Sequence, residues 1–205
     1  MTMKRPYHHG DLPAALLERA EQILTERGVE ALSLRELARD IGVSHAAPRR
    51  HFKDKQALLD ALALNGFDRL HTALRQAEEP AETFAQRLTA HATAYLQFMS
   101  ANAALLDLMY AGHHSPDTSE EFTAAVERLG AGLRDSTTKG QADGEIRPGD
   151  PEQIVQAVTS AVHGVATYRA RGLLSPHQAE DVLTHLIDYL LHGLSPAKPE
   201  PRKGH

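Results

Sequence analysis

The chain has 205 residues, 41% of them hydrophobic and 24% charged, which suits an ordinary globular protein with room for one medium domain or two small ones. It contains no cysteine, which excludes disulfides, thiolate metal sites and thiol redox chemistry. No apolar run approaches the roughly 18 to 20 residues needed to span a bilayer, and the basic N-terminus lacks the apolar core of a secretory signal, so a cytoplasmic protein is expected. The net charge is −5, yet residues 1–55 hold ten bases against eight acids, whereas the remainder holds twelve against nineteen. Such asymmetry points to two regions with different partners.

Nearly all the periodicity is helical and no segment alternates as a strand would, so an all-α fold is expected. Leu12, Leu16, Ala20, Ile23 and Leu24 share one face of a first helix that ends at Gly28. Ser33-Leu34-Arg35-Glu36 reads as a capping box opening a second helix, with Leu34, Leu37, Ala38 and Ile41 on its apolar face and Gly42 at its end. Ser44 is placed to cap a third helix anchored by Phe52. A first-turn proline, Pro48, would remove only its first hydrogen bond and leave a short, distorted helix of about two turns. A fourth helix begins near Lys55 and runs to Glu79-Pro80.

Beyond this break the expected helices cover about 81–101, 102–111, 119–138, 151–171 and 176–191, with polar loops at 113–116 and 139–152 and a disordered, Pro- and Lys-rich tail over 195–205. In the last helix Leu183, Leu186 and Leu190, together with Val182, Ile187 and Leu191, make a stripe too broad for one contact. It would pack inward and against something else.

The segment Ile41-Gly42-Val43-Ser44 has the chemistry of a helix-turn-helix turn: a glycine for positive φ, a small apolar plug and a cap. His45, Ala46, Ala47, Arg49 and Arg50 would then be exposed, small residues allowing close approach to base edges and arginines reaching guanine or phosphate. By spacing alone, a plain three-helix unit with a solvated basic face fits as well.

The stretches ALLERAEQILTERGVEALSLRELARDIGVS and RHFKDKQALLDAL resemble the N-terminal domain of TetR-family transcriptional regulators over about sixty residues, Gly10 to Leu70. One departure stands out: Arg49 occupies the place where that family usually has a backbone-contacting tyrosine. The resemblance implies an all-α protein with a basic arm at 1–9, a helix-turn-helix domain at 10–56, a connecting helix to about 78, and a helical effector-binding and dimerisation domain at 80–194. It implies DNA-binding residues Ser33, Arg35, Ser44, His45, Ala46, Ala47, Arg49, Arg50, His51, Lys53 and Lys55, with Ser33 and Lys55 at helix N-termini facing phosphates. The arm Lys4-Arg5-Pro6-Tyr7-His8-His9 is a further candidate for DNA contact.

The opening HGDL, the Ala-Ala-Pro of the recognition helix and GEIRPGDPEQIVQAVTSAVHGVATYRARGLL are similar to a subgroup marked by a Trp before a His-Gly pair; His163-Gly164 is present and tryptophan absent. The likeness implies a homodimer through the last two helices. It would be a repressor of a double-stranded operator, with recognition helices about 34 Å apart, released by a small, largely apolar effector. Candidate lining residues for the effector are Phe84, Leu88, His91, Tyr95, Phe98, Met99, Met109, Tyr110, Phe122, Val126, His163 and Tyr168. The thirteen histidines raise a metal reading. However, His8-His9 and His113-His114 are adjacent rather than i, i+4, and no thiolates assist. No nucleophile elbow, phosphate-cradling glycine loop or HExxH occurs, so no catalytic residue, cofactor or enzyme activity is expected. The alternatives are a helical ligand-binding dimer with a degenerate DNA head, and a histidine-based metal sensor.

Overall fold

The computed structural model describes residues 11–111 and 119–193, and within them it is all helical, with no strand. In chain order the helices are α1 (Leu12–Arg27), α2 (Leu34–Ile41), α3 (Lys55–Glu78), α4 (Phe84–Ala101), α5 (Ala103–Ala111), α6 (Glu120–Ala142), α7 (Pro151–Ala170) and α8 (Pro176–His192), with 3-10 turns at Val29–Ala31 and Pro48–Arg50. The basic arm, the His113-His114 loop and the tail lie outside the described residues. No helix among the described residues is long and apolar enough to cross a membrane.

Local chemistry sets most helix ends. The Asp11 carboxylate accepts from the Ala14 amide at 3.2 Å and starts α1. At the end of α2, Gly42 adopts φ 81° and ψ 31°, and the amides of Gly42 and Val43 both return to the Ala38 carbonyl, at 3.0 and 2.9 Å. This left-handed cap needs a residue without Cβ. Asp150 caps α7, and Ser175 with Gln178 forms a complete capping box at α8. Helix α6 runs four residues past Thr138, where an end was expected. Asp143 donates its amide to the Lys139 carbonyl at 2.9 Å, and their side chains pair one turn apart.

The described residues form two compact units, 11–73 with 97–111 and 119–131, and 74–96 with 132–193. They differ from a simple division at residue 80. In the first unit α1, α2 and α3 bury Leu16, Ala20, Ile23, Leu37, Leu58, Leu62 and Leu70. The helices of 97–131 join that core through close contacts. A Cβ at Gly66 would lie 2.8 Å from Met109 Sδ and 3.0 Å from Leu105 Cδ2, so glycine permits the approach of α5 to α3. Phe67, 1% exposed, meets Tyr110 and Phe122 edge-to-face at 6.3 and 5.2 Å. Arg69 bonds Glu21 at 2.6 Å and Asn102 at 3.1 Å, and lies 5.7 Å from the Phe98 ring centroid.

The second unit is built on α7 against α8, which bury Val155, Val158, Val162, Ala179, Leu183 and Ile187, together with the N-terminal part of α4 and the C-terminal part of α6. Arg87 donates to Ser136 Oγ at 2.7 Å and to the Glu82 carbonyl at 2.8 Å. Glu145 accepts from the Phe84 amide, closing the start of α4.

Candidate functional site

The segment between α2 and α3 carries the residues expected from the sequence to meet DNA. Gly42 turns the chain and half-buried Val43 seats it, as expected. The next residues do not form an α-helix. Residues 45–47 form a turn and Pro48–Arg50 a 3-10 helix. Pro48 has no N–H to give the Ser44 carbonyl, which instead accepts from Ala47 at 2.9 Å. The chain thereby tightens to three residues per turn. The distorted two-turn helix expected here, capped by Ser44, is replaced by this shorter element.

Pro48 and Phe52 are buried and pin the segment to the core, while the Pro48 carbonyl accepts from the amides of His51 and Phe52 at 3.0 and 2.9 Å. Successive residues of a 3-10 helix differ by about 120°. With Pro48 turned inward, Arg49 and Arg50 are sent outward to either side, and both are exposed. His45, Ala46 and His51 are exposed as well, and Ala47 is half-buried.

Ser33 and Ser44 are exposed, Ser33 at the start of α2 and Ser44 at the start of the turn. Ser33 makes no side-chain capping bond, which corrects the expected capping box. Glu36, its intended partner, is drawn off by Arg27 at 2.7 Å and Arg39 at 3.4 Å. A charge-assisted pair outcompetes a neutral amide for a carboxylate. The hydrogen bond to Glu36, with its charge, raises the pKa of Arg27. Arg35 and Lys53 are exposed, and Lys55 opens α3 half-buried. Asp54 supplies the cap of α3, its carboxylate accepting from Ala57 at 2.9 Å. An aspartate directly before a Leu-rich helix is the sequence signal for this cap. Asp40 accepts from Arg19 at 2.8 Å, tying α2 to α1, and this hydrogen bond holds its carboxyl below the usual range.

The twelve candidate effector residues divide between the units. In the first, Met99, Met109 and Phe122 are buried and Phe98, Tyr110 and Val126 half-buried. In the second, Phe84, Leu88, His91 and Tyr95 are buried. Tyr95 and His163 come together, the phenol 2.8 Å from Nδ1, while Thr167 lies 3.3 Å from Nε2. Burial lowers the pKa of half-buried His163 below its ordinary value. His91 Nδ1 sits 2.5 Å from Glu78. Tyr168 is 56% exposed and turns away from any interior. None of the twelve lines a cleft of about 390 Å³ beside α1, which is bounded by Glu18, Glu21, Gln22, Thr25, Glu26 and Arg69. Among the described residues no three His, Asp or Glu side chains are grouped to hold a metal, and Asp107 joins neither His91 nor His163 in such a group.

Residues 88–194 match the tetracyclin repressor-like C-terminal domain, and residues 16–62 match the bacterial regulatory proteins of the tetR family. The chain belongs to the TetR family of bacterial transcriptional regulators. It is 44% identical to a protein of unknown function from Rhodococcus sp. RHA1, covering 94% of this chain and 100% of that one, with a TM-score of 0.85. The TetR-family regulator PfmR from Thermus thermophilus is 28% identical, with 88% and 99% of the chains covered and a TM-score of 0.70. FadR from Bacillus subtilis, solved with stearoyl-CoA, shares the fold at 14% identity, 89% and 99% coverage and a TM-score of 0.76. The class A tetracycline repressor from Escherichia coli is 45% identical over 51 residues, 25% of this chain and only 24% of the repressor's own length. The TetR resemblance in the head sequence is thereby carried to family membership, and the all-α fold with it.

Proposed function

We propose that this regulator is a homodimeric repressor that grips a double-stranded operator through residues 33–55 and lets go when a small, largely apolar molecule binds its C-terminal region. The observation that carries the reading is the display of Arg49 and Arg50 by a segment pinned from behind by Pro48 and Phe52. Exposed Arg35 and Lys53, with Lys55 at the start of α3, extend the basic surface available to phosphates. The arginine at position 49 neutralises a phosphate where a tyrosine would only donate one hydrogen bond.

Support for a dimer comes from α7, α8 and their connection, which leave Tyr168, Leu173, Val182 and Tyr189 between 42% and 66% exposed. Apolar side chains repeated along one helix pair are the raw material of a self-complementary four-helix interface. Support for an apolar effector comes from the second unit, where Phe84 and Leu88 are buried on α4 and the Tyr95 phenol lies 2.8 Å from His163 Nδ1 as a polar tip. FadR, which shares the fold, was solved with stearoyl-CoA, whose acyl chain is apolar.

The test is binding of the purified protein to the DNA flanking its own gene, beside unrelated duplex, across a salt series. A tight, steeply salt-dependent complex with the flank is expected. Arg50→Ala should weaken it and flatten the salt slope by about one counterion. An unchanged affinity and slope in the variant would remove Arg50 from the interface. Failure to bind any duplex at low salt would sink the reading as a whole.

A further inference from the structure

Resting on the DNA-binding reading above, we infer that this regulator selects its operator through guanine, by hydrogen bonds from Arg49 and Arg50, and that the segment from Ser33 to Lys55 carries no Asn, Gln or free carboxylate for a paired contact to adenine or cytosine. The head has only a narrow set of groups to offer a groove. In the major groove guanine presents two acceptors, O6 and N7. Adenine presents an acceptor beside a donor, and cytosine presents a donor. Selecting adenine by a paired contact therefore calls for Asn or Gln, and selecting cytosine calls for a free carboxylate.

From Ser33 to Lys55 the chain contains no Asn and no Gln. Its three carboxylates are each engaged inside the protein. Glu36 is held by Arg27 at 2.7 Å, Asp40 by Arg19 at 2.8 Å, and Asp54 accepts the Ala57 amide at 2.9 Å. Releasing any of them to a base would break an ion pair or a helix cap, and would bring negative charge toward phosphates. For a paired contact the displayed segment is left with its two guanidiniums, since the exposed hydroxyls of Ser33 and Ser44 reach one base atom each and do not discriminate. The two guanidiniums carry paired N–H groups and no acceptor, which matches O6 and N7 of guanine alone. The imidazoles of His45 and His51 have nitrogens that diverge, so each meets a single base atom and cannot make the paired contact. Exposed Ala46 can only distinguish a thymine methyl by apolar contact. The 3-10 geometry adds a constraint: with Arg49 and Arg50 about 120° apart, they reach different places and do not share one base.

The experiment selects duplexes from a random-sequence library with the full-length protein. Each guanine of the best duplex is then replaced in turn by 7-deazaguanine, which pairs normally but lacks the N7 acceptor. At least one replacement in each half-site is expected to weaken binding about tenfold or more. In Arg49→Ala or Arg50→Ala, one such replacement should lose its effect, to within about twofold, because the donor is already gone. Both arginines are exposed, so folding of these variants is not at issue. Strong selection of duplexes in which every guanine tolerates the replacement would overturn guanine readout while leaving DNA binding intact. So would sites specified by adenine at positions that neither arginine variant relaxes. A library from which nothing is enriched, with no duplex bound at low salt, would instead overturn the DNA-binding reading, and guanine readout with it.

Discussion

Two segments of this protein begin with a serine followed by a proline, and they fold differently. In α8 the proline, Pro176, comes directly after the capping Ser175, where its missing amide costs nothing, and a regular helix runs from Pro176 to His192. In the segment between α2 and α3 Pro48 comes four residues after Ser44, where the first α-helical bond should close, and the chain forms a turn and a 3-10 helix. Each segment also leaves side chains exposed. The regular helix is held by Ala179, Leu183 and Ile187 and leaves Val182 and Tyr189 exposed. The irregular one is held by Pro48 and Phe52 and leaves arginines exposed. Where a proline falls relative to a cap thus decides whether side chains are presented along a rod or splayed from a knuckle.

The contrast breaks most severely at its anchors. Phe52→Ala removes one of two side chains pinning the knuckle, and is expected to cost about 3–5 kcal/mol, measured by chemical denaturation. A loss under about 1 kcal/mol would mean that the segment is not held from behind. On the regular side, Val182→Asp places a charge in the proposed dimer contact. It should raise the dimer dissociation constant on the order of a hundredfold, read by sedimentation at several concentrations. An unaltered dimer would move the interface elsewhere.

Smaller effects sharpen the same contrast. Pro48→Ala restores an amide for the Ser44 carbonyl and allows an α-turn, swinging Arg49 and Arg50 by roughly 20° per residue. Operator affinity should fall about tenfold while helicity by circular dichroism rises slightly. Ser175→Ala removes the α8 cap and should destabilise the protein by about 1 kcal/mol.

Least in size is a pH effect at His163. Burial depresses its pKa in the folded state below its ordinary 6.5, so the folded protein disfavours the protonated form. The stability it contributes is whole above that value and is lost as pH falls from 6.5 toward the depressed pKa. His163→Gln should flatten that part of the stability–pH curve, and an identical curve would show that another group titrates there.

Much of the frame was legible because it is local. Gly28 and Gly42 as helix ends and the apolar faces of α1 and α2 depend on residues within a turn of one another. The element around Pro48 is half legible: the sequence shows the lost amide but predicts a distorted α-helix, whereas the chain forms a turn and a 3-10 helix. The capping box at Ser33 failed because Glu36 had a competitor nine residues upstream, Arg27, at 2.7 Å. Likewise Arg69 reads as a plain surface base on α3, and only the fold brings it to Glu21 and Asn102.

By itself, then, the sequence determined the helical class, the turn at Gly42, the position of the basic segment and the family likeness, since these rest on periodicity, caps and short motifs. Tertiary structure alone decided which carboxylates are engaged and which guanidiniums are left displayed. It also decided that α5 and the adjoining parts of α4 and α6 share a core with α1, α2 and α3. Ion pairs and close-packed contacts join residues far apart in sequence, and their outcome depends on which competing partner the folded backbone brings within reach.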